Sequence, residues 1–278
     1  MARDCPKNSG AFPLSYRPQD IEMALRGVGL EASDTVYIIS SLSRLPGLEG
    51  YGTTADPSAV FCDALRAVIG DGGTIVVPTS SQNLCNTDVT FNPATTPSFE
   101  RGLLPEYVRR LAGALRSFHP FTSYAAIGAK AAHITEKVTR HAYGPETPEA
   151  RMIDMGAKFL ALGVGPNIIT TVHHVEHVMG VPYRYHKEFM HPVLRNGNAS
   201  IEPFYQFVWY RDADVKASQN RRLFARLAGK LHIAQAELGR GRISSFSLSE
   251  FYALSVQEFA DDIYVWCDHP PVIRPYRK

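Results

Sequence analysis

Three short apolar runs, at residues 35–39, 74–79 and 159–164, constrain the fold more than anything else in this chain. The first reads Thr35-Val36-Tyr37-Ile38-Ile39 and breaks into Ser40-Ser41-Leu42-Ser43. The second, Thr74-Ile75-Val76-Val77-Pro78-Thr79, leaves the turn Gly70-Asp71-Gly72-Gly73, and the third closes in Gly163-Val164-Gly165. Continuous apolar runs this short, rich in β-branched residues and bounded by turn residues, predict strands buried on both faces. Between the first two, residues 57–69 carry Val60, Ala64, Ala67 and Val68 on one helical face behind Asp56-Pro57. Residues 18–29 carry Ile21, Ala24, Leu25 and Val28 at helical spacing, and Gly29 stops them. Strand, helix and strand is the rhythm of a sheet covered by helices.

The rest of the chain reads less sharply. Residues 81–99 are a polar loop; 105–112, 129–139 and 148–155 look helical; 123–127 looks like a strand. From 200 onward Phe204, Gln206 and Val208 alternate, a helix is expected around 219–235, and two short elements follow. No repeat and no linker sets a boundary in the 278 residues, so a single α/β body with a less regular second half is expected. In such sheets ligands gather beyond the carboxyl ends of strands. Ser40, Ser41, Thr79 and Ser80 lie there.

Several classes are excluded by what the sequence lacks. A net charge of +2 without a dense Lys/Arg run argues against nucleic acid. No apolar run approaches the ~20 residues of a membrane helix, and Asp4, Pro6 and Asn8 interrupt any secretion signal. Cys5, Cys62, Cys85 and Cys267 lie far apart with no C-x-x-C pair, which suits free thiols and a cytoplasmic location. A serine hydrolase would need a G-x-S-x-G elbow, and a dinucleotide site a glycine fingerprint opening a helix; neither is found.

The chemistry is concentrated late. Half of the ten histidines fall between 173 and 191, and none precedes His119. In Thr170-Thr171-Val172-His173-His174-Val175-Glu176, helical spacing puts His173 and Glu176 on one face. A carboxylate so placed orients the imidazole and raises its basicity, as a general base requires. A metal-dependent hydrolase built on the 173–177 histidine cluster is the rival. No H-E-x-x-H is present, and His173 and His174 point apart on a helix, so no metal is expected.

In order along residues 20–184, these segments resemble the aminoglycoside 3-N-acetyltransferase (antibiotic N-acetyltransferase) family. The shared pieces are Ser40-Ser41-Leu42, Gly73-Thr74 with Pro78, Thr96-Pro97-Ser98, and Gly113-Ala114-x-Arg116-Ser117-x-His119-Pro120. Tyr143-Gly144 with Thr147-Pro148, and Gly163-Val164-Gly165 followed by Thr170-x-x-His173-x-x-Glu176, complete them. The resemblance implies a three-layer α/β/α fold with a central mixed sheet and a less regular substrate-binding cap. It implies acetyl-CoA as co-substrate, His173 as the base, Glu176 as its orienting carboxylate, and Thr170 near the thioester oxygen or the base. Ser40, Ser41, Leu42, Thr79, Arg116, Ser117 and His119 would lie on the donor side. There are two departures: Ile39 stands where the family loop usually has histidine, and residues 166–169 are unusually apolar.

One domain over 1–278 is expected, with donor binding and catalysis in 15–176 and the acceptor side in 177–278. From His177 onward there are 14 Lys+Arg against 10 Asp+Glu, with 15 against 17 before it. Aminoglycosides are polycations and favour acidic sites. The basic second half therefore keeps a nucleotide-linked amino sugar beside the aminoglycoside as acceptor. Arg184 and Lys187 would meet an anionic acceptor, and Asp212 and Asp214 a cationic one. The expected partners are a small amine and, at most, a second copy of the chain in a homodimer.

Overall fold

In the computed structural model, residues 15–51, 56–218 and 220–277 are described. Helix α1 (Pro18–Gly27) opens on proline, and the Asp20 carboxylate accepts the Arg17 amide at 2.7 Å. Strand β1 (Thr35–Ser40), helix α2 (Pro57–Ile69) and strand β2 (Thr74–Pro78) follow, Asp56 capping α2 through the Ser58 amide. Next come α3 (Leu103–Arg110), β3 (Leu115–Arg116), β4 (Tyr124–Gly128), α4 (Ala131–Thr135), α5 (Pro148–Asp154) and β5 (Lys158–Leu162). The second half holds α6 (Val172–Val178), β6 (Arg184–Arg195), β7 (Asn198–Trp209), α7 (Arg221–Leu227), β8 (Ala234–Leu238), β9 (Gly241–Ser247) and α8 (Leu248–Asp261).

Seven strands form one sheet in the order β3-β4-β2-β1-β5-β9-β8. The central β2, β1 and β5 are parallel, while β4, β3, β9 and β8 run antiparallel to their neighbours. Alternation along β1 sends Val36 and Ile38 to one face, where α1, α2 and α3 supply Leu25, Phe61 and Val108. Tyr37 points to the other, among Met152, Val175 and Phe251 of α5, α6 and α8. These are the three layers expected of the family. The strands around 35–39, 74–79 and 159–164 and the helix over 57–69 form as their residue patterns require.

Past 177 the chain does two things. Strands β6 and β7 make a separate twelve-pair hairpin, packed through Val193 and Phe204 on Leu84, Phe91 and Phe121. Its outer edges are met by chain from the first half: Phe91 bridges β6 at Val193, and His141 bridges β7 at Tyr205. Then β8 and β9 return to the main sheet, so 177–278 is no separate layer. The helix expected over 219–235 is shorter, because Ala234–Leu238 pairs with β9. Among the described residues no helix is long and apolar enough to cross a membrane. Cys62, Cys85 and Cys267 are free thiols; Cys5 and the leader residues Asp4, Pro6 and Asn8 lie outside the described residues.

Candidate active site

The carboxyl ends of β1, β2 and β5 open on a cleft of about 580 Å³. Ile39, Ser40, Ser41, Leu42, Arg101 and Thr170 are among its walls. Gly163 lets the strand ends close up: its φ is +69°, and a Cβ there would stand 2.5 Å from the Ser41 carbonyl oxygen. Ser41 in turn donates its amide to Leu162 at 2.8 Å. Three of the expected donor-side residues thus line one cleft, with Thr170 at its end.

Helix α6 begins just beyond. His173 and Glu176 share a face as their spacing requires, with His173 Nδ1 2.6 Å from Glu176 Oε2. Glu176 is fully buried, yet three groups meet it: the His173 imidazole, the Tyr183 hydroxyl, which donates at 2.7 Å, and the Arg184 guanidinium, whose Nε lies 3.0 Å away in an ion pair. Its pKa is lowered: burial works to raise it, and Arg184 with the His173 and Tyr183 hydrogen bonds outweighs that. The carboxylate therefore stays ionised 2.6 Å from Nδ1, and Arg184 Nη2 approaches the same ring nitrogen at 3.2 Å. Among the described residues no hydrogen bond reaches Nε2 of His173. Burial and the nearby Arg184 charge hold the His173 pKa below the usual value, while Glu176 pulls it up. The side chain keeps 24% of its exposure, flanked edge-on by Tyr143 and Trp266. A neutral, oriented and reachable imidazole can take a proton.

Arg184 is the clearest correction. It was expected to reach an anionic acceptor, but its side chain is 5% exposed and stacks 4.5 Å over the Trp266 ring while holding Glu176. Lys187, three residues along β6, falls on the opposite face by strand alternation and lies over Phe189. The two cannot border one cleft. Asp214 accepts the Ile273 amide at 2.8 Å and ties down the C-terminal segment, whereas Asp212 is exposed.

The remaining donor-side expectations are also corrected, because those side chains are spent inside the protein. Ser117 is fully buried and its hydroxyl accepts the Tyr124 amide. His119 Nδ1 accepts the Phe121 and Thr122 amides, while Nε2 meets the Arg140 carbonyl at 3.1 Å. Arg116 donates to the carbonyls of Thr79 and Thr96 and to the hydroxyls of Ser81 and Ser123. Thr79 is buried against Ser123. Arg116 holds the 81–99 loop onto the sheet, while Ser117 and His119 shape the turn between β3 and β4.

The histidines of the metal-hydrolase alternative diverge. His174 turns under α8 beside Tyr252, and its Nδ1 faces the Gly144 amide. His177 Nδ1 lies 3.1 Å from His186 Nε2, and His186 Nδ1 lies 3.3 Å from His141. His186 thus turns one nitrogen to each neighbour, so the three cannot converge on one ion. Sequence reasoning missed Tyr183, Trp266, Tyr37, Tyr124 and Glu149, which carry no local motif.

This arrangement defines an α/β protein with a cleft at its parallel strand ends and a carboxylate-held histidine beside it. The sequence profile of the aminoglycoside 3-N-acetyltransferase family matches residues 39–260, and the chain belongs to that family. It is an N-acetyltransferase by that membership. Aminoglycoside N(3)-acetyltransferase VII of Streptomyces paromomycinus is 31% identical over 209 residues, covering 69% of this chain and 68% of its own. Aminoglycoside N(3)-acetyltransferase IX of Micromonospora chalcea is 31% identical over 217 residues, 72% of each. Among solved structures, AAC-IIIb in a binary complex with CoASH superposes with a TM-score of 0.77 at 22% identity, over 92% of this chain and 99% of that one.

Proposed function

We propose that this chain transfers an acetyl group from acetyl-CoA directly to an amine of an aminoglycoside-type amino sugar, with His173 as the base. The observation that carries the reading is the Glu176 carboxylate on Nδ1, which leaves Nε2 as the nitrogen without a bond. An ammonium group is no nucleophile, so a base must remove its proton as attack proceeds, contributing roughly 10²–10⁴-fold. Ser40, Ser41 and Leu42 flank the path of the donor's pantetheine arm, and Thr170 meets the thioester end. Residues 15–176 serve the donor and the chemistry; the β6–β7 hairpin and the C-terminal segment shape the acceptor side. With Arg184 committed to Glu176, the charge argument for an anionic acceptor loses the residue that best supported it.

The test is thiol release from acetyl-CoA against a panel of aminoglycosides and nucleotide-linked amino sugars. Turnover with aminoglycosides is expected. Turnover confined to the nucleotide-linked sugars would overturn the acceptor, and none with any amine would overturn the reading.

A further inference from the structure

Behind Thr170 the fold buries a second carboxyl group that the reaction above does not use. Glu149 is 1% exposed in the first turn of α5. Its Oε1 accepts the Tyr124 hydroxyl from β4 and the Thr170 hydroxyl at 2.9 Å. The Tyr37 hydroxyl from β1 stands 2.8 Å from Thr170 Oγ1. Oε2 has no partner among the described residues. An ion with an unmatched oxygen is costly to bury, and a neutral acid is far less so. Burial accordingly pushes the Glu149 pKa up to about 7, against the pull of the Tyr124 and Thr170 hydrogen bonds. The titratable groups facing it are Tyr37, Tyr124 and Tyr143, and the Arg101 charge at the cleft reaches Tyr37 and Tyr143.

Thr170 both lines the cleft and touches this carboxyl group. Its hydroxyl orientation follows the charge on Glu149. When Glu149 is ionised, Thr170 donates to Oε1. When Glu149 is a neutral acid, the acid proton is donated to Oγ1 and the Thr170 proton turns toward the cleft.

We propose that Glu149 is the proton reserve for the departing thiol, reached through Thr170; this rests on the acetyl-transfer reading above. As the tetrahedral intermediate collapses, the C–S bond breaks and its electron pair goes to sulfur. Thr170 passes its hydroxyl proton to sulfur and takes the acid proton of Glu149. CoA leaves as the thiol, and Glu149 is left as carboxylate. His173 releases the amine's proton to solvent, and a solvent proton returns to Glu149 through Thr170 after the product departs. On going from ammonium to amide, nitrogen loses two protons, one to solvent before attack and one to His173 during it; sulfur gains one, so one net proton is released. Glu149 touches no substrate and is a positioning residue acting through Thr170.

The experiment compares wild-type protein, Glu149→Gln and Thr170→Val with two donors, acetyl-CoA and the acetyl thioester of a more acidic aryl thiol. With acetyl-CoA, either variant should lose roughly 10²-fold in kcat, as expected for losing an acid catalyst. With the aryl thioester the loss should shrink at least tenfold, because that thiolate leaves without a proton. The fall of wild-type kcat as pH rises through about 7 should vanish in Glu149→Gln. Equal losses with both donors, as a purely structural role would give, would overturn the proposal. Infrared titration of wild-type protein supplies a measurement independent of any acceptor. A buried neutral-carboxyl band that disappears near pH 7 and is missing from Glu149→Gln is expected; no such band overturns the proposal. Absence of thiol release by the wild-type protein with every amine would instead overturn the acetyl-transfer reading.

Discussion

At Glu176 one buried carboxylate meets the imidazole of His173, the phenol of Tyr183 and the guanidinium of Arg184. On the proposed mechanism His173→Ala removes the base and should lower kcat by roughly 10²–10⁴. Calorimetry should find acetyl-CoA binding nearly unchanged, since the cleft proposed for the donor is walled by other residues. Glu176→Gln acts differently. The carboxylate is what raises the His173 pKa against burial and Arg184. Its loss should carry the acidic limb of the pH–rate profile to lower pH while the plateau falls, and an unmoved limb would count against the pairing. Arg184→Met tests stability, because it strands a buried carboxylate. A loss of roughly 3–5 kcal/mol is expected from urea unfolding.

Helices and strands show where reading the sequence succeeds and where it stops. The central strands were legible because both faces are buried, so their apolar runs are continuous. Helix α2 was legible because Asp56-Pro57 and Gly70 mark both ends. Strand β6 was not, since one of its faces is open and His186, Glu188 and Met190 alternate with partly covered neighbours. The His173/Glu176 pair was visible because helical spacing is local. Glu149 was invisible, because an acidic residue in a first turn is commonplace and its partners come from β1, β4 and the segment before α6. Arg116, Ser117 and His119, expected on the donor side, bond instead around the turn between β3 and β4. His119 makes that role measurable. Burial pushes its pKa down to about 3, below the 6.5 it would have when unfolded. The unfolded chain then binds a proton that the native chain refuses between those values, so the contribution to stability is complete above 6.5 and erodes as pH falls toward 3. His119→Gln should be less stable at neutral pH and show a shallower loss of melting temperature across that window.

Taken whole, the molecule packs a long hairpin against its sheet layers through Phe207 in the main core and through a small aromatic core around Phe204. Phe204→Ala empties the centre of that core and should cost about 3–5 kcal/mol. If the hairpin shapes the acceptor side, the same change should raise the acceptor's KM and leave the CoA dissociation constant unmoved, a contrast that steady-state kinetics and calorimetry resolve. The bridges along the hairpin have a further consequence, for behaviour at high concentration. Unpaired strand edges invite other chains to pair with them. Here β3, at one end of the sheet, is two residues long, and β8, at the other, presents Gln235 and Glu237 to solvent. Phe91 exchanges hydrogen bonds with both Pro192 and Leu194, and Tyr205 does so with Arg140 and Ala142. Cutting residues 88–96 out of the first half would uncover β6 and leave a long, partly apolar edge. Light scattering of that shortened chain should show growth into aggregates under conditions where the intact chain stays clear.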